Sequence, residues 1–245
     1  MKDAPVGGID VKEHLGGKIP LDLTFVNDSG RTVRLAEYFR PGRPVLLVLA
    51  YYNCPMLCTL VLNGVADVMK KVAWQPGKEY QVVTVSIDPR ESDTLAALKR
   101  TRYLEYLGRP GSAEGWRFHV GSEDQIRKLA DAIGFEYFYM EDRKEYAHPA
   151  AIYVLTADGT ISRYLYGIQF NERDVRLAVL EASEGKIGST VDRLLLYCFH
   201  YDPDAKGYVV LATNVMKLGG LATLLIFGVF LVVLWIRDKT KPVEE

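Results

Sequence analysis

The run Val45-Leu46-Leu47-Val48-Leu49-Ala50 is unbrokenly apolar, follows Pro44, and ends just ahead of two cysteines, Cys54 and Cys58. A strand with no polar alternation must be covered on both faces, so it belongs at the centre of a sheet with layers on either side. Downstream, Leu62, Val65, Val68, Met69 and Val72 recur at helical spacing, which predicts a helix from Cys58 to Val72. The cysteines therefore sit where a buried strand gives way to a helix.

The same strand, loop and helix pattern repeats. Gln81 to Ile87 reads as a second central strand, followed by Asp88-Pro89 and a helix through Leu95, Leu98, Tyr103, Leu104 and Leu107. Trp116 to Val120 is a short strand, and Ser122 with Gln125 forms a capping box that opens a helix to about Ile133. Phe135 to Met140 extends as another strand. Ala151 to Leu155 and Ile161 to Leu165 flank the turn pair Asp158-Gly159 and precede a helix from Asn171 to about Ser183. Near the start, Leu21 to Val26 and Arg31 to Leu35 alternate around Asn27-Asp28-Ser29-Gly30, a peripheral hairpin. These elements predict an α/β fold with a mixed sheet flanked by helices.

With 30 basic and 31 acidic residues the chain has a net charge of -1, which offers no field to collect nucleic acid, so that partner class is set aside. Leu218 to Ile236 carries no charge, and roughly 20 apolar residues cross a bilayer as a helix, so a C-terminal transmembrane helix is expected. Arg237, Lys239 and Lys241 crowd its C-terminal flank against Lys217 alone on the other. Basic flanks stay cytoplasmic, which places the folded domain on the non-cytoplasmic, periplasmic or extracellular, side of the cell membrane. That topology needs an export signal, and Met1 to Pro20 has no apolar segment to serve as one. The expected organisation is an extended lead-in over 1–19, the α/β domain over 20–185, a juxtamembrane segment over 186–214, the membrane helix over 215–237 and a cytoplasmic tail over 238–245. Within the juxtamembrane segment, Ser189 to Tyr197 reads as a short capped helix and Tyr197 to Tyr208 as an aromatic, turn-rich linker.

Three cysteines are too few for a disulfide scaffold, and the close pair in an exported chain points to redox or metal chemistry. Helix N-terminal N–H groups favour thiolate at such a position, and three intervening residues bring the sulfurs about one helical turn apart. Soft sulfur selects Cu(I) and imidazole admits Cu(II), so two sulfurs with one nitrogen hold copper in both states. The alternatives are a disulfide or two small core residues. Cys198 and His200 lie two apart and read either as metal donors or as part of an aromatic interfacial belt. His14 and His119 have no partner nearby in sequence and are assigned no role. Tyr51 and Tyr52 are expected to pack around the cysteine motif.

The strand pattern resembles thioredoxin-like folds, in which a proline at the start of the corresponding late strand is cis and the residue before it faces the cysteine loop. By that resemblance His148, which precedes Pro149 and the strand from Ala151, sits against Cys54 and Cys58, with a cis His148–Pro149 bond. The passage Leu49-Ala50-Tyr51-Tyr52-Asn53-Cys54-Pro55-Met56-Leu57-Cys58, the strand end Val85-Ser86-Ile87-Asp88-Pro89, and the late histidine followed by a strand and Asp158-Gly159 resemble the SCO/SenC family of copper chaperones for cytochrome c oxidase. The resemblance covers roughly residues 20 to 185. It implies Cys54, Cys58 and His148 as copper ligands and Cys54 and Cys58 as redox-active thiols. Asp88 becomes a supporting or docking residue, with a strand-ending turn as its plain alternative. It further implies a respiratory oxidase subunit with a copper centre as partner, and a metallochaperone rather than a turnover enzyme. The competing expectation is a thiol-disulfide oxidoreductase acting on exported cysteine pairs through a thiol-redox partner, with Cys54 as nucleophile. The chain departs from the family in Pro149, where Ser is common, and in the C-terminal position of its anchor.

Overall fold

The computed structural model describes residues 11–54, 56–184, 199–202, 207–210 and 212–239, and divides the chain into two units, Met1–Arg193 and Leu194–Glu245. The first unit is built on a seven-stranded mixed sheet. Its strands are β1 (Thr24–Asn27), β2 (Thr32–Arg34), β3 (Val45–Ala50), β4 (Gln81–Ser86), β5 (Trp116–Val120), β8 (Ala151–Leu155) and β9 (Ile161–Tyr166), in the order β2-β1-β5-β4-β3-β8-β9. β3, β4 and β5 run parallel; β1 joins β5, and β8 joins β3, antiparallel. The unalternating runs take the middle positions, as their composition requires: every residue of β3 and of β4 is buried. The predicted hairpin of β1 and β2 lies at one edge and the β8–β9 hairpin at the other.

The helices α1 (Leu57–Lys71), α2 (Asp93–Leu107), α3 (Glu123–Ala132) and α4 (Glu172–Ala182) follow β3, β4, β5 and β9 in turn. Their ends are fixed by local chemistry. Ser92 Oγ accepts the Leu95 N–H to open α2, and Gly108, at φ 62°, closes it. Asn171 caps α4 by accepting the Arg173 N–H. At α3 the expected capping box does not form. Ser122 is the N-cap but its side chain makes no capping bond, and Gln125 Oε1 does not reach back to it, being drawn to the sheet to accept the Thr24 N–H at 2.9 Å. Thr24 begins β1, so this bond ties α3 to the sheet edge.

One expected strand in the late half behaves differently from the rest. Phe135 to Met140 yields only β6 (Phe138–Met140), which pairs with β7 (Glu145–Ala147) as a separate two-stranded ribbon outside the main sheet. Phe135 itself bridges back to Val11, and Lys18 bridges Thr160, so the described part of the lead-in lies along the domain.

In the second unit, β10 (Phe199–Asp202) pairs antiparallel with β11 (Gly207–Val210), so a hairpin occupies what composition reads as a linker. A helix, α5, spans Ala212–Lys239, and its described apolar side chains, among them Leu224, Ile226 and Phe230, are exposed. Among the described residues no helix is long and apolar enough to cross a membrane. The short helix expected over Ser189 to Tyr197, the cysteine Cys198, and the tail beyond Lys239 lie outside the described residues.

Candidate metal centre

β3 ends at Ala50, and the chain turns through Tyr51 to Met56 before α1 begins at Leu57. The turn is held from outside its own sequence. Glu91, buried at 8% exposure, accepts the Tyr52 N–H at 2.8 Å and the Asn53 N–H at 2.7 Å, and the Ser86 hydroxyl at 2.6 Å. One carboxylate thus satisfies the two backbone donors that precede Cys54 and moors them to the end of β4. Burial raises the Glu91 carboxyl, against the lowering effect of these three donors.

The result is a pair of inward-facing thiols. Cys54 Sγ accepts the Cys58 N–H at 3.3 Å, at the start of α1, and Cys58 Sγ accepts the Tyr51 N–H at 3.3 Å. Cys58 is 1% and Cys54 9% exposed, and neither is in a disulfide. The two titrate in opposite senses. The hydrogen bond from Cys58 pulls the Cys54 thiol far below its ordinary value against the cost of burial, helped by His148, the Cys58 N–H and the Tyr51 hydroxyl. Burial, followed by the neighbouring Cys54 charge, drives Cys58 upward. The surroundings thus split the pair, favouring ionisation at Cys54 and opposing it at the more deeply buried Cys58.

His148 completes the cluster from the opposite end of the chain. It follows β7 and precedes β8, the strand paired with β3, so the sheet register carries it to the cysteine turn. Its Nε2 lies 2.9 Å from Cys58 Sγ, and its Nδ1 lies 2.9 Å from the Pro149 carbonyl. A carbonyl only accepts, so Nδ1 donates to Pro149 and Nε2 is the ring nitrogen that faces Cys58 Sγ. The ring is 5% exposed, with Phe135 and Tyr51 at centroid distances of 5.8 Å and 6.2 Å. The expected cis bond at His148–Pro149 is corrected: no cis peptide occurs among the described residues, and the imidazole reaches the cysteines through a trans bond, steadied by the Nδ1–carbonyl contact.

One donor atom from each of Cys54, Cys58 and His148 falls within 4.8 Å of the others, and all three residues are buried. Two soft sulfurs and a borderline nitrogen fit copper; hard cations would require oxygen donors that this group lacks. Asp88 stands apart from the group. Burial would raise its carboxyl, but Arg90, through a side-chain fork, its own backbone N–H and its charge, and Tyr146 hold it below the usual range. The Asp88–Arg90 pair lines a cavity of about 290 Å³ together with Tyr51 and Glu91, beside the cysteine turn.

Glu91 and Tyr146 were not legible as site residues in the sequence. The Asp88-Pro89 turn was the available signal for Glu91, since a chain reversing at the end of β4 brings its next residues beside the end of β3. Tyr51 and Tyr52 pack around the motif as expected, Tyr51 against the ligands and Tyr52 into the core, its hydroxyl 2.7 Å from the His119 carbonyl. His14 ties the lead-in to the domain, its N–H bonded to the Tyr164 hydroxyl. His200 falls in β10, opposite Val209.

Comparison with known proteins adds an independent line. A family model described as SCO1/SenC matches residues 13–181. The mitochondrial SCO2 homolog of Bos taurus is 31% identical over 149 residues, which are 58% of this chain and 52% of that protein. The chain spans about half the length of the curated relatives it matches. Among solved structures, a protein from Aquifex aeolicus VF5 superposes with a TM-score of 0.60 at 26% identity, over 70% of this chain and 95% of that one. BsSco, described as a member of the Sco family of cytochrome c oxidase assembly proteins with a disulfide switch, superposes with a TM-score of 0.56 at 22% identity, over 71% and 98%. With its thioredoxin-like mixed sheet and a family match running from the lead-in to the end of α4, the chain belongs to the SCO1/SenC family.

Proposed function

We propose that this chain binds copper through Cys54, Cys58 and His148 and works in the assembly of a respiratory oxidase, carrying copper to its copper centre or maintaining the redox state of that centre. The carrying observation is the buried meeting of two thiols and an imidazole from segments 90 residues apart. Family membership supports the reading, as does the description of BsSco as a cytochrome c oxidase assembly protein. Copper is cargo here, a soft ion that accepts sulfur in its reduced state and sulfur with nitrogen in its oxidised state. The residues of the chain supply the rest. Cys54 offers a thiolate near the surface, Cys58 gives up its proton on metal binding, and His148 offers Nε2 because Pro149 occupies Nδ1. Glu91 keeps the cysteine turn in place through both oxidation states of the cargo.

The proposed setting is a cell membrane, with the domain on its non-cytoplasmic face and α5 as the single-pass anchor. The uncharged stretch Leu218 to Ile236 and the exposed apolar side chains of α5 support this, since a helix apolar all round requires an apolar surrounding.

Titrating the reduced full-length chain in detergent with Cu(I) and Cu(II), followed by absorption, tests the function. A one-to-one Cu(II) complex with thiolate charge-transfer bands, lost in Cys58→Ser, is the expected result. Reduced protein that retains no copper would overturn it.

A further inference from the structure

The three donors of the metal centre are not held alike. Cys54 and Cys58 ride on the passage from β3 into α1, which is locked by the sheet and by Glu91. His148 emerges from the β6–β7 ribbon, whose strands are paired with each other and are not part of the seven-stranded sheet. Ladder hydrogen bonds therefore fix the ribbon internally, while side chains must fix it against the domain.

Arg90 is the side chain placed to do this. Its Nε and Nη2 donate to the two Asp88 carboxylate oxygens at 2.8 Å and 2.9 Å, a bidentate fork that orients the guanidinium plane. The other side of the fork covers the ribbon: the guanidinium carbon lies 4.8 Å from the Tyr139 ring centroid and 5.9 Å from that of Tyr146. Tyr139 and Tyr146 are directly cross-paired and 5.0 Å apart, so one cation spans both strands. Tyr146 continues the chain of contacts to Tyr51 at 5.4 Å, and Tyr51 meets the His148 ring. His148 is two residues after Tyr146.

We propose that Arg90 is a positioning residue, a clasp that holds the β6–β7 ribbon against the Asp88 turn and thereby keeps His148 within reach of Cys54 and Cys58. This rests on the copper reading above and deepens it. Two donors sit in the locked passage from β3 to α1, and the third, at the junction of the ribbon with β8, takes its final placement from the clasp. With the clasp open the two sulfurs remain, a set that suits Cu(I), while the imidazole that Cu(II) uses is released. The clasp thus governs the hold on the oxidised cargo more than on the reduced cargo. Lysine does not replace arginine here, because an ammonium can neither fork to a carboxylate nor stack between two rings.

The test uses full-length Arg90→Gln, Arg90→Lys and Tyr139→Leu. In the reduced, metal-free proteins, amide hydrogen exchange over residues 138–148 should accelerate on the order of tenfold, with β3 and β4 unchanged. In the loaded proteins, Cu(II) release to a chelator should quicken on the order of tenfold and Cu(I) release by less than about threefold. Wild-type exchange over the ribbon in all three variants would overturn the clasp. So would faster exchange with an unchanged Cu(II) release rate, since the ribbon would then move without His148. Tyr139→Leu removes only the stack and keeps the inference testable if the Arg90 variants do not fold. If the wild type takes up no copper, the functional reading fails, and the metal-free exchange measurement still decides whether Arg90 holds the ribbon.

Discussion

His119 and His148 are both buried, at 0% and 5% exposure, and both lie beside aromatic rings, yet their ring nitrogens are committed differently. His119 donates from Nδ1 to the Thr84 carbonyl at 3.0 Å and accepts at Nε2 from the Tyr38 hydroxyl at 2.7 Å. Nothing on that ring is left for a ligand, and burial pushes its pKa down to about 4, so it stays neutral. His148 commits Nδ1 to its own backbone neighbour and turns Nε2 toward sulfur. Burial alone therefore says little about a histidine's work. What separates a packing imidazole from a ligating one is which nitrogen the protein leaves uncommitted.

That contrast makes its strongest claim on stability. His119→Ala should destabilise the domain by about 4 kcal/mol, combining the cavity left by a fully buried ring with the loss of two hydrogen bonds, while copper stoichiometry stays at wild type. Chemical denaturation and metal analysis of the same preparation check both halves; loss of copper in this variant would break the division.

The next effect is on pH. His119 is neutral when folded, so between about pH 6.5 and pH 4 the unfolded chain binds a proton that the folded chain refuses. Its contribution is full above pH 6.5 and drains as pH falls toward 4, by about 3 kcal/mol in all. Urea unfolding from pH 7.5 to 4 should show this slope in wild type and a flatter one in His119→Gln. An equal slope in both would assign the acid sensitivity to other groups.

For the other histidine the expectation reverses. His148→Ala should weaken Cu(II) binding on the order of 100-fold or more, since even groups that merely support a ligand cost up to that much. Its unfolding free energy should fall by about 2 kcal/mol, from the cavity its ring leaves between Phe135 and Tyr51, about half the cost of His119→Ala. Competition titration against a chelator of known affinity measures the first and thermal unfolding the second. The smallest effect belongs to Tyr38→Phe, which removes one donor from His119 and should cost about 1 kcal/mol without touching copper.

Much of this was written in local pattern. β3 announced its central place because six residues with no polar alternation have only one home in a sheet, and the hairpin around Asp158-Gly159 followed from turn chemistry. Cys54 and Cys58 were visible for the same reason: their place between strand and helix is a matter of a few neighbouring residues. Contacts between distant segments were less legible. Gln125 looked like half of a capping box until the Thr24 N–H, 101 residues away, claimed it. Glu91 had no local signature because its partners are backbone donors on another segment. His148 was placed by resemblance, and the resemblance carried the position correctly while misjudging the peptide bond that precedes Pro149.

The separation of 90 residues between Cys58 and His148 has a mechanical side. A disulfide between Cys54 and Cys58 would close a short loop and restrict the unfolded chain by only about 2 kcal/mol. An ion gripping both cysteine sulfur and His148 closes most of the domain into one ring, and a cross-link of that span removes roughly 4 to 5 kcal/mol of unfolded-state freedom. Loading would then act as a staple, leaving the copper-bound protein harder to unravel and to digest than the empty one, a difference that a protease could read.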